Sequence, residues 1–368
     1  MRILRILFIF LGFVLSTAAA GAQPLVGASK MWIKSAGKNT AQSVQKAAAA
    51  PRTPVEVARQ VVTRQKQIYA DKKLLNKSID KSLEGFGLDK AVYRSLAKRN
   101  AHRIAVSKTM LRRQIETYNK NRAQIKAQLA ITSAVHQINY AKLLDANAQL
   151  IFLGEVHYRP SIRQEVYSAI EQYRKAHPHK KVYLLTEFME AEYPNERPMG
   201  FYRNLYLRGK TVVPEQLPLL QKLAKQGVRV RGLEPLRGLE FLAKEFGVAD
   251  KTFMQGSVSL VGQEIRNRAW AEKIRQYVQQ DPNAVFFVYT GWSHSSYKYL
   301  DNVPMMLKDI PSQVVQFNLW WKDTLTPAFE DLFMSDFLLD PAAKTVAVLK
   351  APRYRRLLGA DVLINLHE

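Results

Sequence analysis

From Gln149 onward the apolar positions fall into short runs separated by longer amphipathic stretches. Leu150-Ile151-Phe152-Leu153, Val182-Tyr183-Leu184-Leu185, Val228 to Leu233, Ala284 to Tyr289 and Val314-Val315-Gln316-Phe317 read as five strands. Val346-Ala347-Val348-Leu349 and Val362-Leu363-Ile364 are expected to add edge strands. Between them the pattern predicts a helix over 161–176 with Ser161 as its cap, helical segments ending at Gly227, and an amphipathic helix over 262–280. Near-continuous apolar strands alternating with helices predict an α/β fold, a mostly parallel sheet with helices on both faces.

Upstream of Gln149 the period is different. Thr53-Pro54-Val55-Glu56 combines a capping box with proline at the first helical position, so a helix is predicted from there to about Lys77. Gly85-Phe86-Gly87 interrupts it, and a second, long helix is predicted from Asp89 to about Leu144. Within that helix Ile104, Leu111, Tyr118 and Ile125 recur every seven residues, with Ile115 and Leu129 beside them. Such a narrow seam suits either a partner-binding or self-associating arm, or an extension packed on the α/β domain. The expected organisation is a signal peptide over 1–22, a flexible leader over 23–52, a basic helical hairpin or arm over 53–147, and the α/β domain over 148–368. The fold class is therefore α/β preceded by a basic helical N-terminal extension.

The first residues change the picture of where the protein works. Arg2 and Arg5 precede an apolar run from Ile6 to Leu15, and small residues follow through Ala22. This is the pattern of a secretory signal peptide, and the run is too short for a membrane span, which needs about 20 apolar residues. The expected localisation is export, to a periplasm or outside the cell, with no transmembrane span. The chain has no cysteine, so a disulfide framework, a lipidated cysteine and a thiolate metal site are all excluded.

The net charge is +24, and residues 24–145 hold 24 Lys and Arg against 7 Asp and Glu. In an exported protein this excess suits an anionic envelope surface better than nucleic acid. A solvated basic face without a specific partner is the competing reading.

Ligands of open parallel sheets bind beyond the carboxyl ends of the strands. The residues that follow the strands here are Gly154-Glu155-Val156-His157-Tyr158, Thr186-Glu187-Phe188-Met189-Glu190, Glu234-Pro235 and Thr290-Gly291-Trp292-Ser293-His294. Four successive strands thus deliver an acid, a histidine or both to one edge. Two chemistries fit. His157, His294 and a glutamate would hold Zn, Mn or Co and activate a water. Without metal, His157 or His294 would act as general base, oriented by Glu155 or Glu187. Structural roles compete with each assignment: Glu155 bonding loop amides, Glu234 pairing with a nearby arginine, and the histidines satisfied in the core. In the 262–280 helix, Ile265, Ala269 and Ile274 are expected to face the sheet. Arg266 and Asn267 would lie near the N-terminal turn, where Arg266 binds a substrate anion or holds a pocket carboxylate. The aromatic segment from Leu319-Trp320-Trp321 to Leu339 would be a lid or ordinary core.

Residues from about 148 to 318 resemble the superfamily that contains erythromycin esterases, ChaN-like haem-associated lipoproteins and Tiki/TraB proteins. The resemblance rests on Gly154-Glu155-Val156-His157, on Glu187, on Arg266-Asn267 with Trp270-Ala271, and on Gly291-Trp292-Ser293-His294. Leu153 to His157 with Glu187-Phe188 looks most like the ChaN-like group. The Tiki-like resemblance implies a metal held by His157, His294 and Glu187 or Glu155. The esterase resemblance implies His157 as base, and the ChaN-like resemblance implies haem, with Tyr158 or another pocket tyrosine as ligand. This chain departs from the ChaN lipoproteins in having no cysteine, and from the Arg-Asp form of the helix motif in having Asn267.

The expected function is hydrolysis of an amide or ester bond in a small molecule or peptide. Glu155, His157, Glu187, His294 and Arg266 would be catalytic, and Tyr158, Asn267, Trp292 and Glu234 would bind substrate. Haem or iron binding at the same pocket is the alternative, and an inert pocket on an envelope-binding scaffold is the third reading.

Overall fold

The structure is a computed structural model, and it describes residues 71–84, 94–132, 136–155, 160–190, 213–234, 259–299, 301–320 and 344–367, with isolated positions 63 and 67. The elements in chain order are α1 (Lys72–Glu84), α2 (Arg94–Ala127), β1 (Leu129–Thr132), α3 (Tyr140–Leu143), β2 (Leu150–Glu155), α4 (Pro160–Ala176), β3 (Val182–Glu190), α5 (Val213–Lys225), β4 (Arg229–Glu234), α6 (Leu260–Gln280), β5 (Val285–Gly291), α7 (Trp292–Ser295), α8 (Val303–Met306), β6 (Ser312–Trp320), β7 (Thr345–Leu349), α9 (Arg355–Leu358) and β8 (Val362–His367). The predicted signal peptide, leader and first helix start lie outside the described residues, as do Gly85-Phe86-Gly87 and 321–339 of the aromatic segment.

Eight strands form one mixed sheet in the order β1-β7-β8-β6-β2-β5-β3-β4. The pairs from β8 through to β4 are parallel, and β7 runs antiparallel to both β1 and β8. β2 is central and buried at every residue, as expected for a strand covered on both faces. Its side chains alternate between two cores. Ile151 and Leu153 join Tyr173, Leu184, Phe287 and Val315 on the side of α4 and α5. Leu150 and Phe152 join Trp270, Ile274, Phe286 and Val288 on the side of α6. This is the predicted α/β architecture.

Helix ends follow from local chemistry. Asp71 Oδ1 accepts from Lys73 N at 2.8 Å and Leu74 N at 3.1 Å, so α1 begins at an aspartate cap and runs past Lys77 to Glu84. Ser259 Oγ accepts from Gly262 N at 3.1 Å and caps α6. Gly227, with φ 84°, ends α5 in the left-handed conformation as the sequence predicts. Helix α4 begins at Pro160, so Ser161 lies inside the helix and is not its cap.

Three expectations need correction. The long helix stops at Ala127 rather than near Leu144, and Leu129–Thr132 form a strand paired antiparallel with Thr345–Leu349. Leu129 therefore belongs to the sheet and not to the helical seam; a pairing partner more than 200 residues away is invisible to local periodicity. The two late strands are not edges, since β7 lies between β1 and β8, and β8 between β7 and β6. The edges are β1 and β4. In α6, Ile265 and Ile274 are buried as expected, but Ala269 is half-buried and Trp270, which was not expected on this face, is fully buried.

The seam on α2 is buried. Leu111, Ile115, Tyr118 and Ile125 have no exposed area and form a third cluster with Ile79 and Leu83 of α1 and with Leu349, Tyr354 and Leu358. Replacing Leu111 by Ala should cost about 2–5 kcal/mol by cavity formation, whereas Val106→Ala on the exposed side of the same helix should stay within about 0.5 kcal/mol. Urea denaturation of the two variants checks this; equal midpoints would show that the seam does not stabilise the fold.

Candidate functional site

Glu155, Glu187 and Glu234 end or nearly end β2, β3 and β4, and His294 follows β5 in the short helix α7. All four are buried, so each charge or polar atom needs a partner. Register aligns Glu155 with Gly291 and Thr186 with both Tyr289 and Gly232, which brings the carboxyl ends to one edge of the sheet.

The centre of the site is an ion cluster. Arg266 Nε donates to Glu234 Oε1 at 2.9 Å, and its terminal amino group donates both to the same oxygen and, at 3.3 Å, to Glu187 Oε2. Glu187 Oε1 accepts from the backbone N–H of Gly291. Burial pushes the Glu234 carboxyl above its ordinary value; Arg266 opposes this, and the neighbouring Glu187 adds to it. Arg266 lies in the second turn of α6, beyond the free amides of the helix start, so it acts through its side chain alone.

Beside this cluster, His294 Nδ1 lies 2.6 Å from Asn267 Oδ1. Asn267 Nδ2 donates to the Asp301 carbonyl at 2.9 Å and to Asn302 Oδ1 at 3.4 Å. A carbonyl cannot donate, so the amide orientation is set and Oδ1 is the atom that faces the histidine. The neutral imidazole therefore carries its proton on Nδ1 and its lone pair on Nε2. Trp270 is wedged between the two groups, its ring 4.7 Å from that of His294 and 4.8 Å from the Arg266 guanidinium carbon.

The structure brings together some of the sequence-predicted residues and not others. Glu187, Glu234 and Arg266 are in direct contact, and Asn267 and His294 form the adjoining pair. Glu155 bonds Tyr289, whose ring belongs to the core on the α4 side, so its recorded bond lies across the sheet from Arg266. His157 and Tyr158 lie outside the described residues. Trp292 is half-buried, with the Lys298 ammonium 5.9 Å from its ring. Asp301, Asn302 and Tyr289 escaped the sequence reading: the first two act through a loop contact no motif announces, and Tyr289 reads as one more apolar strand position.

Gly154 has a packing reason. A Cβ there would lie 2.5 Å from Ser295 Oγ, 3.0 Å from Gln316 Nε2 and 3.2 Å from Trp292 Cα. The helix carrying His294 sits against β2 at a distance that only glycine allows.

Among the described residues, no group of three or more His, Asp or Glu is placed to hold a metal. Glu187 does not suit the ligand role expected of it, because the Arg266 guanidinium occupies the position between Glu187 and Glu234 where a cation would lie. The proposed ligand His157 falls outside the described residues.

Removing the guanidinium leaves two buried carboxylates without their cation. Arg266→Gln should therefore cost about 3–5 kcal/mol at neutral pH. Glu234 with a raised folded pKa binds protons that the unfolded chain does not, so stability is present at low pH and lost as pH rises through the folded value. The variant enlarges that loss, and its Tm deficit relative to the parent should be larger at pH 8 than at pH 5. Thermal melts across that range test it; a deficit independent of pH would show that these carboxylates are not the cause.

No family model matches the chain, and no curated protein matches it. Among solved structures it is similar to the type III effector HopBA1 at 14% identity and a TM-score of 0.41, covering 66% of this chain and 98% of that one. It is similar to the erythromycin esterase EreC in its open conformation at 11% identity and a TM-score of 0.39, covering 60% of this chain and 90% of that one. It is similar to ChaN of Campylobacter jejuni, with cofacially bound haem, at 11% identity and a TM-score of 0.36, covering 61% of this chain and 89% of that one. An erythromycin esterase and a ChaN protein are thus among its structural neighbours, and both groups are named in the resemblance drawn from the strand-end motifs.

Proposed function

We propose that the protein is an exported hydrolase of amide or ester bonds that uses a metal-free acid–base site. The observation that carries this reading is the His294–Asn267 pair. A buried imidazole held by its Nδ1–H and presenting a basic Nε2 is the arrangement a general base needs. In this reading Nε2 takes a proton from water as the water attacks the substrate carbonyl, and the imidazolium formed returns it to the leaving group. Asn267 accepts from Nδ1–H in both states, fixing the tautomer of the neutral ring and the orientation of the imidazolium. Arg266 is held in place by Glu187 and Glu234, with its guanidinium stacked near Trp270. It supplies fixed positive charge beside the base, where a developing oxyanion is stabilised. His157, at the end of β2 in sequence, is the expected second histidine of the pocket. The Arg2-to-Ala22 pattern supports export to a periplasm or the exterior, and among the described residues no helix is long and apolar enough to cross a membrane.

A panel of p-nitrophenyl esters and chromogenic peptide amides tests the proposal. His294→Ala should lower kcat about 10²–10⁴-fold, with the variant still folded by circular dichroism. Asn267→Asp places an anion on Nδ1–H in place of a neutral acceptor, and should move the ascending limb of the pH–rate profile upward. Parental activity in His294→Ala, or an unmoved profile in Asn267→Asp, would sink the general-base role. A Soret band on haemin titration, lost on changing pocket tyrosines or histidines, would replace the reading with haem capture. Zn, Mn or Co retained through purification and lost in His157→Ala would replace the metal-free site with a metal-assisted one.

A further inference from the structure

Away from the strand ends, α2 and the turn from Pro352 to Leu358 enclose an open groove of about 820 Å³. Its floor includes Val106, Met110 and Leu357. Val106, at 42% relative exposure, is the one large hydrophobic side chain fully on the surface among the described residues. Three cations, Arg113, Arg353 and Arg356, stand on the exposed rim, and no Asp or Glu lines the groove. Among the described residues none of the three arginines has a carboxylate partner, in contrast to Lys108 and Arg112 on the same helix, which pair with Asp80.

An apolar floor and a cationic rim together define a ligand with an acyl chain and an anionic group.

We propose that this groove binds an anionic glycerophospholipid. The acyl chain lies along Val106, Met110 and Leu357. The phosphate is met by Arg113, Arg353 and Arg356. The volume is within the usual range for small-ligand sites, about 300–1,000 Å³. A free phosphate would leave the apolar floor exposed to water, and an uncharged lipid would leave the rim cations unpaired. This site is independent of the hydrolytic reading, and it places the expected contact with an anionic envelope surface on one face of α2.

The test is calorimetric titration of the full-length protein with dioctanoyl phosphatidylglycerol, beside dioctanoyl phosphatidylcholine and inorganic phosphate, in 0.15 M and 0.5 M salt. The expected result is saturable binding of the glycerol lipid alone, with a negative heat-capacity change from apolar burial. Val106→Glu and Arg113→Glu/Arg356→Glu, all at exposed positions, should each weaken it at least tenfold without changing Tm. Reversing two distant surface lysines, Lys225→Glu/Lys308→Glu, should leave it intact. No heat with the glycerol lipid, or equal loss in the distant variant, would overturn the proposal. Sensitivity to the arginine pair with none to Val106→Glu, or equal binding of inorganic phosphate, would reduce the groove to an anion site and also overturn it.

Discussion

One guanidinium between two buried carboxylates organises the carboxyl edge of this sheet. Arg266 reaches from α6 to Glu187 at the end of β3 and Glu234 at the end of β4. A carboxylate taken from water without a partner is strongly disfavoured, and two side by side are worse. The arginine therefore permits β3 and β4 to end in acids inside the protein, and the acids in turn fix where α6 lies across the sheet. Such a cluster need not add stability relative to apolar packing. What it contributes here is position: the residues next to Arg266 along the helix are placed to within a hydrogen bond.

That placement passes to the histidine. Asn267 is one residue on from Arg266 and Trp270 is one helical turn on, so a single helix presents a cation, an amide and an aromatic ring to the same edge. The Asn267 amide is oriented by the loop at Asp301 and Asn302, and it orients His294 in turn. On the other side Gly154 lets the His294 helix rest on β2. Charge, amide geometry and close backbone approach thus act at the same place. A site assembled from strand ends, two helices and one loop is held by buried contacts rather than by any one of its loops.

The N-terminal helices belong to this same body. The α2 seam buries four large side chains against the C-terminal turn, and Leu129–Thr132 extend the sheet at its far edge. Arg103 of α2 pairs with Glu264 at 3.0 Å and also with Asp301, the residue whose carbonyl accepts from Asn267. The basic helix therefore reaches within one residue of the chain that supports the histidine. Its outer face carries Arg113 beside the Val106 groove, across from Arg353 and Arg356 of the C-terminal turn, so the two sides of one helix carry different work: packing inward and charge outward.

The strands from Leu150 onward, the helices over 161–176 and 262–280, the helical segments ending at Gly227, and the residue types at each strand end were legible in the sequence, because apolar runs, helical period and Gly227 are local signals. So was the heptad seam, as a row of apolar positions, although what it packs against was not. Three things were decided only by tertiary structure. Leu129–Thr132 became a strand because Thr345–Leu349 offered an edge to pair with, and pairing is a long-range choice. Glu187, a candidate ligand, and Glu234, read either as a substrate contact or as the partner of a nearby arginine, became the two jaws around one residue, Arg266, because α6 folds across their strands, a choice of partner that spacing along the chain does not encode. The proton on His294 was placed by an amide whose own orientation depends on the Asp301 carbonyl, 34 residues away from Asn267. A sequence carries the kinds of side chain a site uses; which of them neutralise one another, and which hydrogen-bond to one another, is set by distances that exist only in the folded chain.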